Sequence, residues 1–266
     1  MKKNLLITLC ALMAATCSVA VASPQDDLRR YLPPEQINWL EAEGDARYLA
    51  LYKEPMVNFA RGSMVSIPDW RRHPLQSPLI AHTYQVAPDL GWHSWSLLPP
   101  AEAIEPNRLQ QPQASSNYPK PVDTSYFEPH ISALADRLTR LNTELGEQPG
   151  FNVWVVEGMT AALAVKLLIQ QPDLMPDALV VIDMYLPQVQ LNKGVSRQLA
   201  QLQLPVLDIY SQGANSWVQN SKQQRHQFSQ KYQQINYRQR QLLGAGQLAQ
   251  QELASTLKGW LKHQGL

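Results

Sequence analysis

The stretch that decides the fold is Phe151-Asn-Val-Trp-Val-Val-Glu-Gly-Met-Thr-Ala-Ala-Leu-Ala-Val165. Its first half is a short, Val-rich apolar run and reads as a strand buried on both faces. Glu157-Gly158-Met159-Thr160-Ala161 follows as a tight turn. Ala162, Leu163, Val165, Leu167 and Leu168 then suit a helix lying flat on a sheet. Strand, turn and buried helix are the frame of a nucleophile elbow, whose working form is Gly-x-Ser-x-Gly. Read in that frame, Glu157 takes the first Gly, Met159 the Ser and Ala161 the second Gly, so the nucleophile is missing.

Outward from this stretch, short apolar strands alternate with helices. Strands are expected at Arg47–Tyr52 (an edge), Gly62–Asp69, Gly91–Leu98, Ala178–Asp183, Pro205–Tyr210 and Tyr237–Leu242. Helices are expected over about 79–88, 131–145, 192–202, 217–232 and 248–262, with a short one opened by Pro33, Pro34 and Glu35 and running through Leu40. This alternation predicts an α/β fold with a doubly wound, mainly parallel sheet and right-handed crossovers.

The 266 residues, 44% apolar and 17% charged, are ordinary for one globular domain. Lys2 and Lys3 form a positive n-region, Leu5 to Ala15 an apolar h-region, and Ala20-Val21-Ala22 a cleavage site. Residues 1–22 are therefore expected to be a signal peptide cleaved near Ala22. The product is periplasmic or secreted and keeps no stable membrane span. A lipid on Cys17 is the alternative, and Ala14-Ala15-Thr16 is a poor lead-in for it. Residues 23–44 read as an N-terminal extension and 45–266 as the domain, with a long Pro- and Gln-rich loop at 99–122.

Both cysteines, Cys10 and Cys17, fall in the leader, so no disulfide is expected in the mature chain. Without Lys2 and Lys3 the balance is 21 basic to 22 acidic residues, about −1, which gives no field for nucleic acid. No His-x-His, His-Glu-x-x-His or Cys pair marks a metal site. Neither a Gly-x-Gly-x-x-Gly after a strand nor a phosphate-binding Walker loop is found, so no cofactor is expected.

The order of elements over 45–264 resembles the α/β-hydrolase fold. Ser66-Ile-Pro-Asp-Trp70, Gly91-Trp92, Leu98-Pro99, Leu204-Pro-Val-Leu-Asp-Ile-Tyr210 and Gly259-Trp260-Leu261 are more closely similar to a family of secreted proteobacterial proteins of unknown function with that core. The resemblance implies an acid after the strand ending at Tyr210, where Asn215 or Ala214 stands. It implies a base after the last strand, where Gln247 stands. Gln cannot take up a proton near neutral pH, and Asn does not stabilise an imidazolium as a carboxylate does. The triad positions Met159, Asn215 and Gln247 are thus degenerate, and the expectation is a non-catalytic binding or envelope protein, a pseudoenzyme.

An alternative register, Gly158-Met-Thr-Ala-Ala162, makes Thr160 the nucleophile of an atypical hydrolase of ester or amide bonds. His73 is then its nearest base. The competing expectation is that the Thr160 hydroxyl caps the start of its own helix. Asp69, Trp70, Arg71, His73, Glu157, Met159, Thr160 and Gln247 are the ligand-binding candidates, because open α/β sheets bind ligands at the carboxyl ends of their strands. The competing expectation is that Trp70 packs on a helix and the arginines are solvated. Glu157, at the end of a central strand, needs a partner in Arg71 or Arg72, or in the N–H groups of the following helix. Asp208 is expected to be buried and hydrogen-bonded. The expected partner is an unidentified small molecule or envelope protein.

Overall fold

In a computed structural model of the chain, residues 24–41, 47–100, 124–146 and 148–266 are described. The expected signal peptide, both cysteines and positions 101–122 of the long loop lie outside the described residues. Helix α1 (Pro24–Tyr31) belongs to a compact unit ending at Pro34; the rest, from Glu35, forms a second unit.

The second unit is built on an eight-stranded sheet. In chain order its strands are β1 (Ile37–Glu41), β2 (Arg47–Lys53), β3 (Gly62–Ile67), β4 (Trp92–Leu97), β5 (Phe151–Glu157), β6 (Ala178–Ile182), β7 (Val206–Ser211) and β8 (Tyr237–Leu242). Their spatial order is β1-β2-β4-β3-β5-β6-β7-β8. β1, β2 and β4 pair antiparallel, and every pair from β4 to β8 is parallel. Parallel strands joined by crossovers are covered on both faces, which is why β6 and the Val153 to Val156 part of β5 read as unbroken apolar runs.

The helices are α2 (Pro78–Val86), α3 (Glu128–Leu145), α4 (Gly158–Gln170), α5 (Val189–Leu199), α6 (Ser216–Lys231) and α7 (Gln247–Gln264). Side chains alternate along β5 between two cores. Trp154 and Val156 pack with α3, α4 and α5, through Leu134, Leu138, Leu163 and Val195. Val153 and Val155 pack with α2 and α7, through Ile80, Leu253, Leu257 and Trp260. That period of two fixes which face each residue serves.

The start of the sheet differs from expectation. The short helix expected through Leu40 is one 3-10 turn (Pro34–Gln36), after which residues 37–41 extend as β1 and pair with β2. β1 therefore lies inside the stretch read as an extension, and it takes the edge position expected for β2. Trp39, Leu40 and the β-branched Ile37 fit a half-buried pleated surface better than a helix. The five-residue strand is also too short for its periodicity to show in sequence.

One fully buried ion pair ties α6 to the sheet. Arg225 Nε donates to Asp208 Oδ2 at 2.7 Å, with both side chains at 0% exposure. Tyr237 Oη (2.6 Å) and Gln239 Nε2 (2.8 Å) donate to the same oxygen. Arg225 Nη1 donates to the Met184 carbonyl and to Ser221 Oγ. Burial opposes the charge of Arg225, yet Asp208 holds it further protonated than usual. Burial first, and then the Asp208 charge, push the Tyr237 phenol up, so it stays a donor. Asp208 is thus structural, as expected.

Candidate functional site at the strand-to-helix turn

The turn after β5 is a strand–helix elbow, and its strained residue is Gly158. Glu157 is extended (φ −109°, ψ 147°) and Gly158 is left-handed (φ 63°). Glycine suits this position because it carries no Cβ penalty there. An elbow lifts out the side chain of its strained residue. The frame of the turn is therefore Val156-Glu157-Gly158-Met159-Thr160, one residue earlier than the expected frame, and a glycine stands at the nucleophile position.

The space above Gly158 is filled from another strand. A Cβ on Gly158 would collide with the Asp69 carboxyl group. Asp69 follows β3, and its Oδ1 accepts the N–H of Met159 at 2.7 Å and the N–H of Trp70 at 2.8 Å. A working elbow forms its oxyanion hole from the N–H after the nucleophile and an N–H from the β3–helix loop. Here both donors of that kind are bound to a carboxylate of the protein itself.

A second carboxylate supports the first. Glu157 is 7% exposed. Its Oε2 accepts Ser77 Oγ–H at 2.6 Å and the Asp69 N–H at 3.2 Å. Arg72 Nη1 stands 3.9 Å from its Oε1. The expected arginine partner is thus Arg72, whereas the helix N–H of Met159 goes to Asp69. Burial is the main force raising both carboxyls. It moves Asp69 from its ordinary 3.8 to about 6, with the Glu157 charge adding to the rise and the two N–H donors opposing it. Glu157 also rises through burial, with the Ser77 hydroxyl and Asp69 N–H as the main restraints. Tyr185, whose N–H donates to the Gly158 carbonyl at 3.4 Å, is pushed up to about 12 by burial and then by the Asp69 charge.

Asp183, after β6, is left-handed at φ 49°. Its two carboxylate oxygens accept the Ser211 N–H and Oγ–H, both at 2.7 Å. The bonds bind the ends of β6 and β7 together, and burial raises its carboxyl as well.

The other expected site residues scatter. Trp70 packs partly buried against the α3–α4 core, and the Arg71 guanidinium lies 4.3 Å over its ring. Arg71 is itself left-handed, at φ 64°. His73 Nδ1 accepts the Leu75 N–H at 3.2 Å and caps the 3-10 turn Pro74–Gln76, so that nitrogen serves the backbone. Met159 is 3% exposed and sits in the core, not on a ligand surface. Thr160 is 0% exposed and its Oγ1 has no hydrogen-bond partner. It therefore does not cap the helix; the N-cap is Glu157, which makes no side-chain cap bond. Asn215 caps α6, its Oδ1 accepting the Val218 N–H at 3.1 Å. Gln247 opens α7 and is exposed. Gln250, in the same first turn, donates to the Pro78 carbonyl.

A model of proteins of unknown function, DUF3530, matches residues 19–263. The chain belongs to that family. No curated protein matches it in sequence. This DUF3530 chain is similar in structure to the esterase domain of a Rhodothermus marinus protein. The TM-score is 0.56 at 10% identity, covering 85% of this chain and 97% of that one. It is similar to Est1E from Butyrivibrio proteoclasticus (TM-score 0.58, 8% identity, 85% and 99% covered). It is also similar to dienelactone hydrolase from Anabaena variabilis (0.55, 13%, 86% and 98%). At these identities the likeness is one of fold, and the fold of this DUF3530 chain is the α/β-hydrolase fold.

Proposed function

We propose that this chain is an exported, non-catalytic α/β-hydrolase-like protein that binds a small molecule or an envelope protein at the carboxyl end of its sheet. One observation carries the reading. The elbow's strained residue is Gly158, which has no nucleophile, and the Asp69 carboxylate occupies both its side-chain space and the adjacent N–H donors. An ionised carboxylate there opposes a developing oxyanion by like charge, so it removes the largest ordinary source of acyl-transfer catalysis. Export is supported by Lys2, Lys3, the apolar run and Ala20-Val21-Ala22.

The test is a fluorophosphonate probe and a panel of p-nitrophenyl esters on the purified protein, with the N-terminus read by mass spectrometry of the envelope fraction. The expected results are no labelling, no turnover above background and a start at Ser23. Ester turnover abolished by Thr160→Ala would overturn the non-catalytic reading. An intact Met1 in the envelope would overturn the export reading.

A further inference from the structure

Residues 54–61, Glu-Pro-Met-Val-Asn-Phe-Ala-Arg, join β2 to β3 at the end of the sheet opposite the elbow. Phe59 is 90% exposed, Met56 75% and Val57 44%. Single exposed apolar residues are ordinary, but three within four positions form a patch. The loop is not slack. The Met56 N–H donates to the Pro88 carbonyl at 3.0 Å, and the Arg61 N–H donates to the Gly91 carbonyl at 2.8 Å. Both ends are therefore tied to the structure, and the apolar side chains are held in water between them.

Cations stand beside the patch. Lys258 and Lys262 lie one turn apart on α7, and both are exposed. They line a cleft of about 1010 Å³ together with Val57, Phe59 and Arg61. Asp89 lines the same cleft, Glu54 starts the loop, and Arg61 Nη1 donates to the Leu266 carbonyl. Lys258 and Lys262 both face outward beside the patch.

We propose that this end of the molecule docks on a bilayer surface rich in anionic lipid. Phe59 and Met56 enter the boundary between headgroups and acyl chains, and Lys258 and Lys262 lie against the lipid phosphates. A fluid apolar phase accepts a projecting aromatic tip without needing a complementary pocket. Lysine matches phosphate as a point charge. Among the described residues no helix is long and apolar enough to cross a membrane, so the contact is peripheral. The proposal is independent of whether the elbow is catalytic.

The test is co-flotation with vesicles of phosphatidylglycerol and phosphatidylcholine, and with phosphatidylcholine alone. The full chain is compared with variants carrying the same N-terminus. Binding to the anionic vesicles is expected, falling as NaCl rises and absent on the neutral ones. Lys258→Gln/Lys262→Gln should weaken it roughly 30-fold, since each lysine near such a surface is worth about one factor of five. Met56→Ser/Phe59→Ser should weaken it at least about 10-fold. Equal binding to neutral vesicles, insensitivity to NaCl, or no binding at all would overturn the proposal. So would self-association of the protein that Phe59→Ser abolishes, because it would assign the patch to a second copy.

Discussion

Asp69 Oδ1 and the Met159 N–H, 90 residues apart in sequence, meet at 2.7 Å and close the elbow from above. The same oxygen takes the Trp70 N–H, so one carboxylate joins the end of β3 to the start of α4. This lock has consequences for stability that can be measured separately from any activity.

Gly158→Ala should be destabilising by about 2–4 kcal/mol, from the left-handed backbone and the collision with Asp69. In an Asp69→Ala background the collision is gone and only the backbone cost of about 1–2 kcal/mol remains. A double-mutant cycle by urea denaturation should therefore give a coupling of about 1–2 kcal/mol. Additive effects would mean that the two positions do not touch.

The pH dependence follows from Asp69 with a definite sign. A carboxyl raised to about 6 in the folded chain favours the folded state below the unfolded value near 3.8. That contribution is lost as pH rises from about 4 through 6. Asp69→Asn keeps an oxygen for both N–H donors but does not titrate. Relative to the wild type, the variant should gain stability between pH 4 and pH 8, by at most about 3 kcal/mol. Chemical denaturation of both proteins at the two pH values checks this, and parallel profiles would count against it. Glu157 and Asp183, raised in the same direction, should leave a residual slope of the same sign in Asp69→Asn.

Arg225→Met should cost about 3–5 kcal/mol, because it strands the buried Asp208 charge. Adding Asp208→Asn should recover part of that loss, since the second change removes the unpaired charge. Thermal melts of the wild type and the two variants test it. If Arg225→Met melts like the wild type, α6 is not held to β7 through this pair.

Much of the fold was legible because burial on both faces leaves a local signature. Val153 to Val156, Ala178 to Ile182 and the α4 run of Ala161 to Val165 are apolar without interruption, as a central parallel sheet and the helix packed on it require. β1 was not legible. An edge strand is half exposed, and its extended state comes from pairing with β2, a contact that no five-residue window contains.

At the site, the sequence by itself determined that a strand-to-helix turn stands at Glu157-Gly158-Met159. It also held the clue to the frame of the turn, since Gly158 is the residue of the three that takes a left-handed φ at least cost. Only the tertiary structure decided that Asp69 lies over Gly158, that Arg72 rather than Arg71 faces Glu157, and that His73 caps its own loop. The physical reason is that periodicity and turn chemistry act over a few residues. The seating of a carboxylate on two N–H groups depends instead on how β3 and β5 pair, with Ile67 beside Val156, which brings together the loops that follow them.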